Sequence, residues 1–406
     1  MNYVSHLEAT TDGTVLSPRT LQTVHEGRPL WVRYDLDAVL RAVEREDLAS
    51  REATLWRYRE LLPVEDEAAI VTLGEGMTPL LACPRLGEAI GIPHLFIKDE
   101  SHLPTGSFKA RGFAVAVTMA KRLGVTRVAI PTTGNAGGAL AAYAARASME
   151  CFVFTPVLTP EVNKYEAAAY GAHVFLVNGL ISDCGAIVRQ GCERYGWYDM
   201  SALREPYRLE GMKTMGLELA EQLGWTPPDV LLCPTGGGTG LIGMWKGLQE
   251  LERIGWVGSL PRLYACQSSG CAPLAEAFAR GERFAASVTD PHTIAAGLLV
   301  PNTLGDFMIL QAVRESGGKA IAAEEGRLVE WMELAIRLEG IALCPEAAAC
   351  VGALEQGLCE GWVAKGETAV IFNTGAVQKC IEVIRRELPG IDANAPDWGL
   401  IERAGR

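Results

Sequence analysis

From residue 94 onward, short apolar strands alternate with helical patterns, and this alternation narrows the possible folds most. HLFIKDE (94–100) reads as a strand and SFKARGFAVAVTMAKRLG (107–124) as a helix ending at Gly124. RVAIPTT (127–133) is a strand, and NAGGALAAYAARA (135–147) is a helix of small residues. Further strands are expected at ECFVFTP (150–156), HVFLVNG (173–179), DVLLCPTG (229–236), PRLYACQS (261–268) and TAVIFNTG (368–375), with an amphipathic helix over 209–224. Near-continuously apolar strands are those buried on both faces, and helices between them make parallel crossovers. The expected fold is therefore α/β, with parallel or mixed sheets covered on both sides. Residues 1–70 are more polar and read as a helix-rich, packed N-terminal extension.

Composition removes several function classes. The 406 residues can bury one large core or two smaller ones. A net charge of −12 repels a phosphate backbone, so no nucleic-acid partner is expected. No apolar run approaches the roughly 18 residues of a membrane span, and the N-terminus has no basic-then-apolar leader pattern, so no membrane partner is expected. The 11 cysteines are scattered without a Cys-x-x-Cys pair. They read as reduced, small apolar residues of a cytoplasmic protein.

Three motifs lie at strand C-termini, the ligand side of open α/β sheets. In Leu103-Pro104-Thr105-Gly106-Ser107-Phe108-Lys109, a loop delivers a lysine to a helix N-terminus, which disfavours positive charge and makes a neutral amine available. Alone, Lys109 reads better as a solvated surface lysine. Pro131-Thr132-Thr133-Gly134-Asn135-Ala136-Gly137-Gly138 gathers hydroxyls, amides and a carboxamide at a strand-to-helix turn, suited either to an anion or to a plain helix cap. Pro234-Thr235-Gly236-Gly237-Gly238-Thr239-Gly240 can wrap backbone N–H groups around a phosphate. Gly238-x-Gly240-x-x-Gly243 also matches the dinucleotide fingerprint, but the next strand ends in Gln267-Ser268 and lacks the required carboxylate. A phosphate cradle for another cofactor fits better.

In this order, a Ser-x-Lys lysine, a Ser/Thr-x-Gly-Asn turn, a glycine loop and a late Ser/Thr, the motifs resemble the fold-type-II pyridoxal-phosphate enzymes. Longer stretches narrow the resemblance to threonine synthase: Gly74-Glu75-Gly76-Met77-Thr78-Pro79-Leu80, Pro206 to Thr214 (PYRLEGMKT), Gly270-Cys271-Ala272-Pro273, Ala296 to Pro301 (AGLLVP) and Asn373-Thr374-Gly375. The resemblance covers roughly residues 70–385. It implies two α/β domains with pyridoxal 5'-phosphate in the cleft between them: a large domain over 71–109 and 191–390, a small mobile domain over 110–190, and a tail over 391–406. It also implies a homodimer.

By the same resemblance, Lys109 would carry the cofactor as a Schiff base and shuttle protons, with Phe108 beside it. Asn135 would bond the cofactor's 3′-oxygen, and Gly236, Gly237, Gly238, Thr239 and Gly240 would hold its phosphate. Thr374 would face the ring nitrogen. Thr132, Thr133, Gly134 and Ala136 would grip the substrate carboxylate. Arg208 is the candidate for a substrate phosphate, its fork suiting that group, or else a surface arginine at a helix start. The implied reaction turns O-phosphohomoserine and water into threonine and phosphate, making the substrate a small anionic amino acid.

Some stretches depart from the family pattern. Ala110 stands where the family usually has aspartate, and Ala376-Val377-Gln378-Lys379-Cys380 follows Thr374-Gly375 where Gly-x-Lys-Tyr is usual. The cysteines of a zinc-ribbon-like start are missing, so no metal is expected. The alternative is a paralogue acting by elimination or replacement on O-phosphoserine, serine or threonine. A cofactor-binding protein without catalysis is a third reading, disfavoured by Lys109, Asn135 and Thr374 occurring together.

Overall fold

The computed structural model describes residues 3–404. The chain opens with β1 (Val4–Ala9), β2 (Val15–Leu16) and β3 (Leu30–Tyr34), an antiparallel sheet in the order β2-β1-β3, followed by α1 (Leu36–Ala42). This differs from the helix-rich start expected there. The strands bury Leu7, Ala9, Leu30 and Val32, with less buried neighbours such as Glu8 and Trp31 between them. Period-two burial in such short strands is concealed when the alternate positions are polar.

β4 (Leu80–Ala82), α2 (Pro84–Ile90) and β5 (Leu95–Asp99) begin the main sheet. The chain then leaves it through α3 (Lys109–Arg122) for β6 (Arg127–Pro131), α4 (Asn135–Ala147), β7 (Glu150–Pro156), α5 (Glu161–Ala169), β8 (His173–Val177), α6 (Ile181–Tyr195) and β9 (Tyr198–Asp199). These strands form a second, wholly parallel sheet in the order β8-β7-β6-β9. β9 carries it past residue 190.

The main sheet resumes with α7 (Tyr207–Gln222), β10 (Val230–Pro234), α8 (Thr239–Arg253), β11 (Arg262–Ser268), α9 (Pro273–Ala279), α10 (Asp306–Glu315), β12 (Lys319–Ala323), α11 (Leu328–Glu339), α12 (Pro345–Cys359) and β13 (Ala369–Asn373). Its order is β12-β11-β10-β13-β5-β4, parallel except for β4 at one edge. Every residue of the central strands β10 and β13 is buried, as expected of near-continuously apolar strands, and the one polar member, Asn373, donates to Asp99 at 2.9 Å. The smaller sheet is thus an insertion between β5 and β10.

α3 and α7 join the two sheets. Buried side chains of α3 pack with β6 and β7, those of α7 with β10 and β11. The helices touch closely because Gly211 lies against the Arg111 carbonyl, and a side chain there would overlap it. Beside this crossing lies a charge network with no exposure. Arg111 donates to Glu100 at 2.6 and 2.8 Å and to Glu218 at 2.8 and 2.9 Å. Lys98 also pairs with Glu218 and donates to the Thr78 carbonyl at 2.7 Å. Burial pushes the Glu218 pKa up, but Arg111 and Lys98 outweigh it and hold the carboxyl at about 2.

Removing one partner leaves buried charge uncompensated, which costs about 3–5 kcal/mol. Glu218→Gln is expected to lower stability by that order in denaturant unfolding. Arg127→Ala, which breaks the exposed Arg127–Glu150 pair, should change it by less than about 1 kcal/mol.

Candidate active site

The loop after β5 carries Lys109 into the space between the sheets. Thr105 and Gly106 adopt left-handed φ values of 61° and 58°, turning the chain sharply before α3. The segment after β13 fixes this turn. Ala376 N donates to the Gly106 carbonyl at 2.8 Å, Ser107 forms a β-bridge with Gly375, and Phe108 N donates to the Thr374 carbonyl at 3.0 Å. Lys109, the first residue of α3, is half-buried with Nζ 4.0 Å from the centre of the Phe108 ring. Burial and then the charge of Arg208 push its pKa down from 10.5 to about 7, against the opposing pull of Cys233 and Glu346. The surface-lysine reading therefore fails.

The glycine loop joins β10 to α8. Gly238 has φ 78°, and Ile309 fills the place its side chain would take. The Gly297 carbonyl does the same at Gly236, and a Cβ on Gly240 would lie 2.9 Å from the Phe108 ring. The first N–H groups of α8 have no partners within the helix, so the loop and helix end together form an anion cradle beside Phe108. Gln267 does not bind a ribose here. It donates to the Thr235 carbonyl at 3.1 Å and accepts from Leu274 N at 2.9 Å, tying the loop to α9.

From the smaller sheet, the turn after β6 brings Thr132, Thr133, Gly134, Asn135 and Ala136 to the same cleft. The buried Thr132 hydroxyl is committed within the turn, donating to the Gly134 carbonyl at 3.0 Å. Thr133, Gly134, Asn135 and Ala136 are half-buried. Asn135 Nδ2 lies 3.2 Å from where a Gly375 side chain would start, beside Thr374. The expected residues on Lys109, Asn135, the glycine loop and Thr374 are thus brought together.

Arg208 is no surface arginine. It is 2% exposed, stacks 4.3 Å over the Phe113 ring and donates from Nη1 to the Met200 carbonyl at 2.8 Å. Burial lowers its pKa to about 10, with Glu205 and Asp199 opposing, so it stays charged at neutral pH. Burial raises the neighbouring Glu205 to about 7. Four groups here are buried without a hydrogen-bond partner among the described residues: Ser107 Oγ, Asn135 Oδ1, Asn163 Oδ1 and Arg208 Nε. A buried polar group without a partner calls for one, and a bound ligand can supply it. With the phosphate cradle and the low-pKa lysine, the residues fit a pyridoxal-phosphate group and an anionic substrate. Sequence reasoning passed over Ser107, Asn163, Cys344, whose sulfur is 3.8 Å from Thr374 Oγ1, and Glu346, which accepts from Gly297 N at 2.7 Å. Only Ser107 lay inside a motif already singled out.

The lowered pKa sets a pH dependence. The amine of Lys109 becomes neutral as pH rises through about 7. The rate at which apo-protein takes up pyridoxal phosphate, followed by visible absorbance, is expected to climb to a plateau with a midpoint near that pH. A lysine at the ordinary value of about 10.4 would still be climbing beyond it.

Residues 71–375 match the family model described as pyridoxal-phosphate dependent enzyme. Threonine synthase of Methanocaldococcus jannaschii is 37% identical over 356 residues, 87% of this chain and 88% of that protein. Threonine synthase of Methanosarcina acetivorans is 36% identical over 349 residues, 86% of this chain and 85% of its own. Among solved structures, maize serine racemase superposes with a TM-score of 0.65 at 19% identity, over 81% of this chain and 94% of its own, a likeness of fold. With the Lys109 loop, the Asn135 turn and the glycine cradle facing one cleft, the chain belongs to the fold-type-II pyridoxal-phosphate-dependent enzymes and, among them, to the threonine synthase family.

Proposed function

We propose that this chain is a pyridoxal-phosphate-dependent lyase that converts O-phosphohomoserine and water to threonine and phosphate. The observation that carries the reading is a lysine with a pKa near 7 sharing one cleft with the buried guanidinium of Arg208. When bound, the cofactor supplies an electron sink for negative charge developing at Cα and Cβ. Lys109, with a large neutral fraction at neutral pH, takes the Cα proton at Nζ and returns protons later. Asn135 and Thr374 orient the ring, and the glycine loop with the N-terminus of α8 anchors its phosphate. The N–H groups of the Thr132–Ala136 turn hold the substrate carboxylate. Arg208 offers its partnerless Nε to the departing phosphate.

In this reading the unit built from about 110 to 190 moves over the substrate and excludes water. The protein is a cytoplasmic homodimer. The cytoplasmic part is supported by cysteines that are unpaired among the described residues, where no helix is long and apolar enough to cross a membrane. The paralogue alternative keeps one supporting observation: Arg208 already spends its face on Phe113 and one nitrogen on Met200, leaving less for a phosphate.

Cofactor-loaded protein titrated with O-phosphohomoserine is expected to change its visible band and to release phosphate and threonine in equal amounts. Response only to O-phosphoserine, serine or threonine would move the function to the paralogue. A charged hydrogen bond contributes about 1.5–3 kcal/mol. Arg208→Met is therefore expected to raise KM for O-phosphohomoserine by about 10- to 100-fold, with little change for unphosphorylated amino acids.

A further inference from the structure

α5 presents two polar side chains, one turn apart, to α4. Glu166 occupies the space that a side chain on Gly138 would need, and Lys379 holds its carboxylate there at 2.7 Å. Lys379 also donates to the Thr105 carbonyl at 2.7 Å, in the loop that delivers Lys109. One turn earlier on α5, Asn163 meets α4 one turn earlier as well. Its Nδ2 is 4.0 Å from the point where a side chain on Gly134 would start. The contact of Glu166 with Gly138 therefore sets the register that brings the Asn163 carboxamide to the N-terminal turn of α4.

Asn163 is 8% exposed, and its Oδ1 has no hydrogen-bond partner among the described residues. Nearby hydroxyls are already committed. Thr132 bonds Gly134 in both directions, at 3.0 and 3.2 Å, and Thr155 bonds Thr159 at 2.7 Å. Gly134 N is satisfied by Thr132, but the first N–H groups of a helix have no partner within it, and Asn163 brings a side chain with capacity left over to that end of α4.

We propose that Asn163 is a substrate-positioning residue whose Nδ2 donates to the α-carboxylate of the amino-acid substrate. Oδ1 then accepts an N–H of the first turn of α4, so one carboxamide fixes both the carboxylate and the turn that grips it. The inference rests on the reading of the Thr132–Ala136 turn as the carboxylate site, and it adds a residue from a different element. It does not depend on which amino acid is the substrate, because the α-carboxylate is common to all.

The test uses cofactor-loaded Asn163→Ala, Asn163→Asp and Asn163→Gln proteins beside the unchanged one. The visible band is titrated with O-phosphohomoserine and, separately, with L-threonine, which has the carboxylate but no phosphate. Asn163→Ala is expected to weaken both ligands about 10-fold, the loss of one charge-assisted hydrogen bond. Asn163→Asp should weaken both about 100-fold or more, because a carboxylate then faces a carboxylate. Asn163→Gln should fall between Ala and the unchanged protein, with the ligand-free band and Tm of all three unaltered. Affinities within twofold of the unchanged protein would overturn the proposal. So would weakening of the phosphorylated ligand alone, or equal losses in Ala, Asp and Gln with a lowered Tm. If the unchanged protein ignores O-phosphohomoserine but answers to another amino acid, the function reading fails while the Asn163 test proceeds with that amino acid.

Discussion

Arg111 reaches from the first turn of α3 to carboxylates on two other elements, Glu100 after β5 and Glu218 on α7. Glu218 also accepts from Met77 N at 2.7 Å and Thr78 N at 2.8 Å, so the Gly74–Leu80 segment is held by the same group. Everything in the cleft depends on this knot. Arg111 is two residues from Lys109, and a shift of α3 against α7 would carry Lys109 away from the glycine cradle. Buried charge is a poor source of net stability, since desolvation offsets most of the attraction. What the knot contributes is position: other arrangements of these helices would leave at least one buried charge without a partner.

A second knot repeats the pattern one turn from Arg208. Lys213 lies 2.7 Å from Glu210 and 2.8 Å from Glu250, while Lys246 pairs with both carboxylates and Tyr34 donates to Glu210 at 2.7 Å. The Arg-Leu-Glu-Gly-Met-Lys-Thr stretch is therefore mostly structural. Glu210 and Lys213 bind α7 to α8 and to the N-terminal sheet, while Arg208 takes no part in that knot and its charge is felt by Lys109. Resemblance alone could single out the stretch but could not divide its residues between scaffold and site.

That division marks what the sequence made legible. Strands buried on both faces announce themselves as unbroken apolar runs, so β5, β6, β7, β10, β11 and β13 were read within a few residues. β12 (KAIAA) has small side chains and gives a weak signal, and the N-terminal strands alternate with polar residues. The turns that meet at the candidate site were legible because glycine, proline and hydroxyl side chains in that order have few structural uses. The neighbourhoods of Asn163 and Glu346 were not, because both sit on ordinary helices and meet the candidate site only through packing against another element.

The departure at Ala110 follows from the first knot. Ala110 is fully buried among α3 residues that pack on the smaller sheet. An ionised aspartate there would need a cationic partner. Arg111, the adjacent guanidinium, already bonds both oxygens of Glu100 and of Glu218. A further carboxylate near Lys109 would also draw the lysine pKa back up by favouring the ammonium. With alanine, burial and Arg208 govern the amine, and the lysine stays near neutrality. The residue that breaks the family pattern is thus consistent with a saturated Arg111 and with the proton-shuttling role proposed for Lys109.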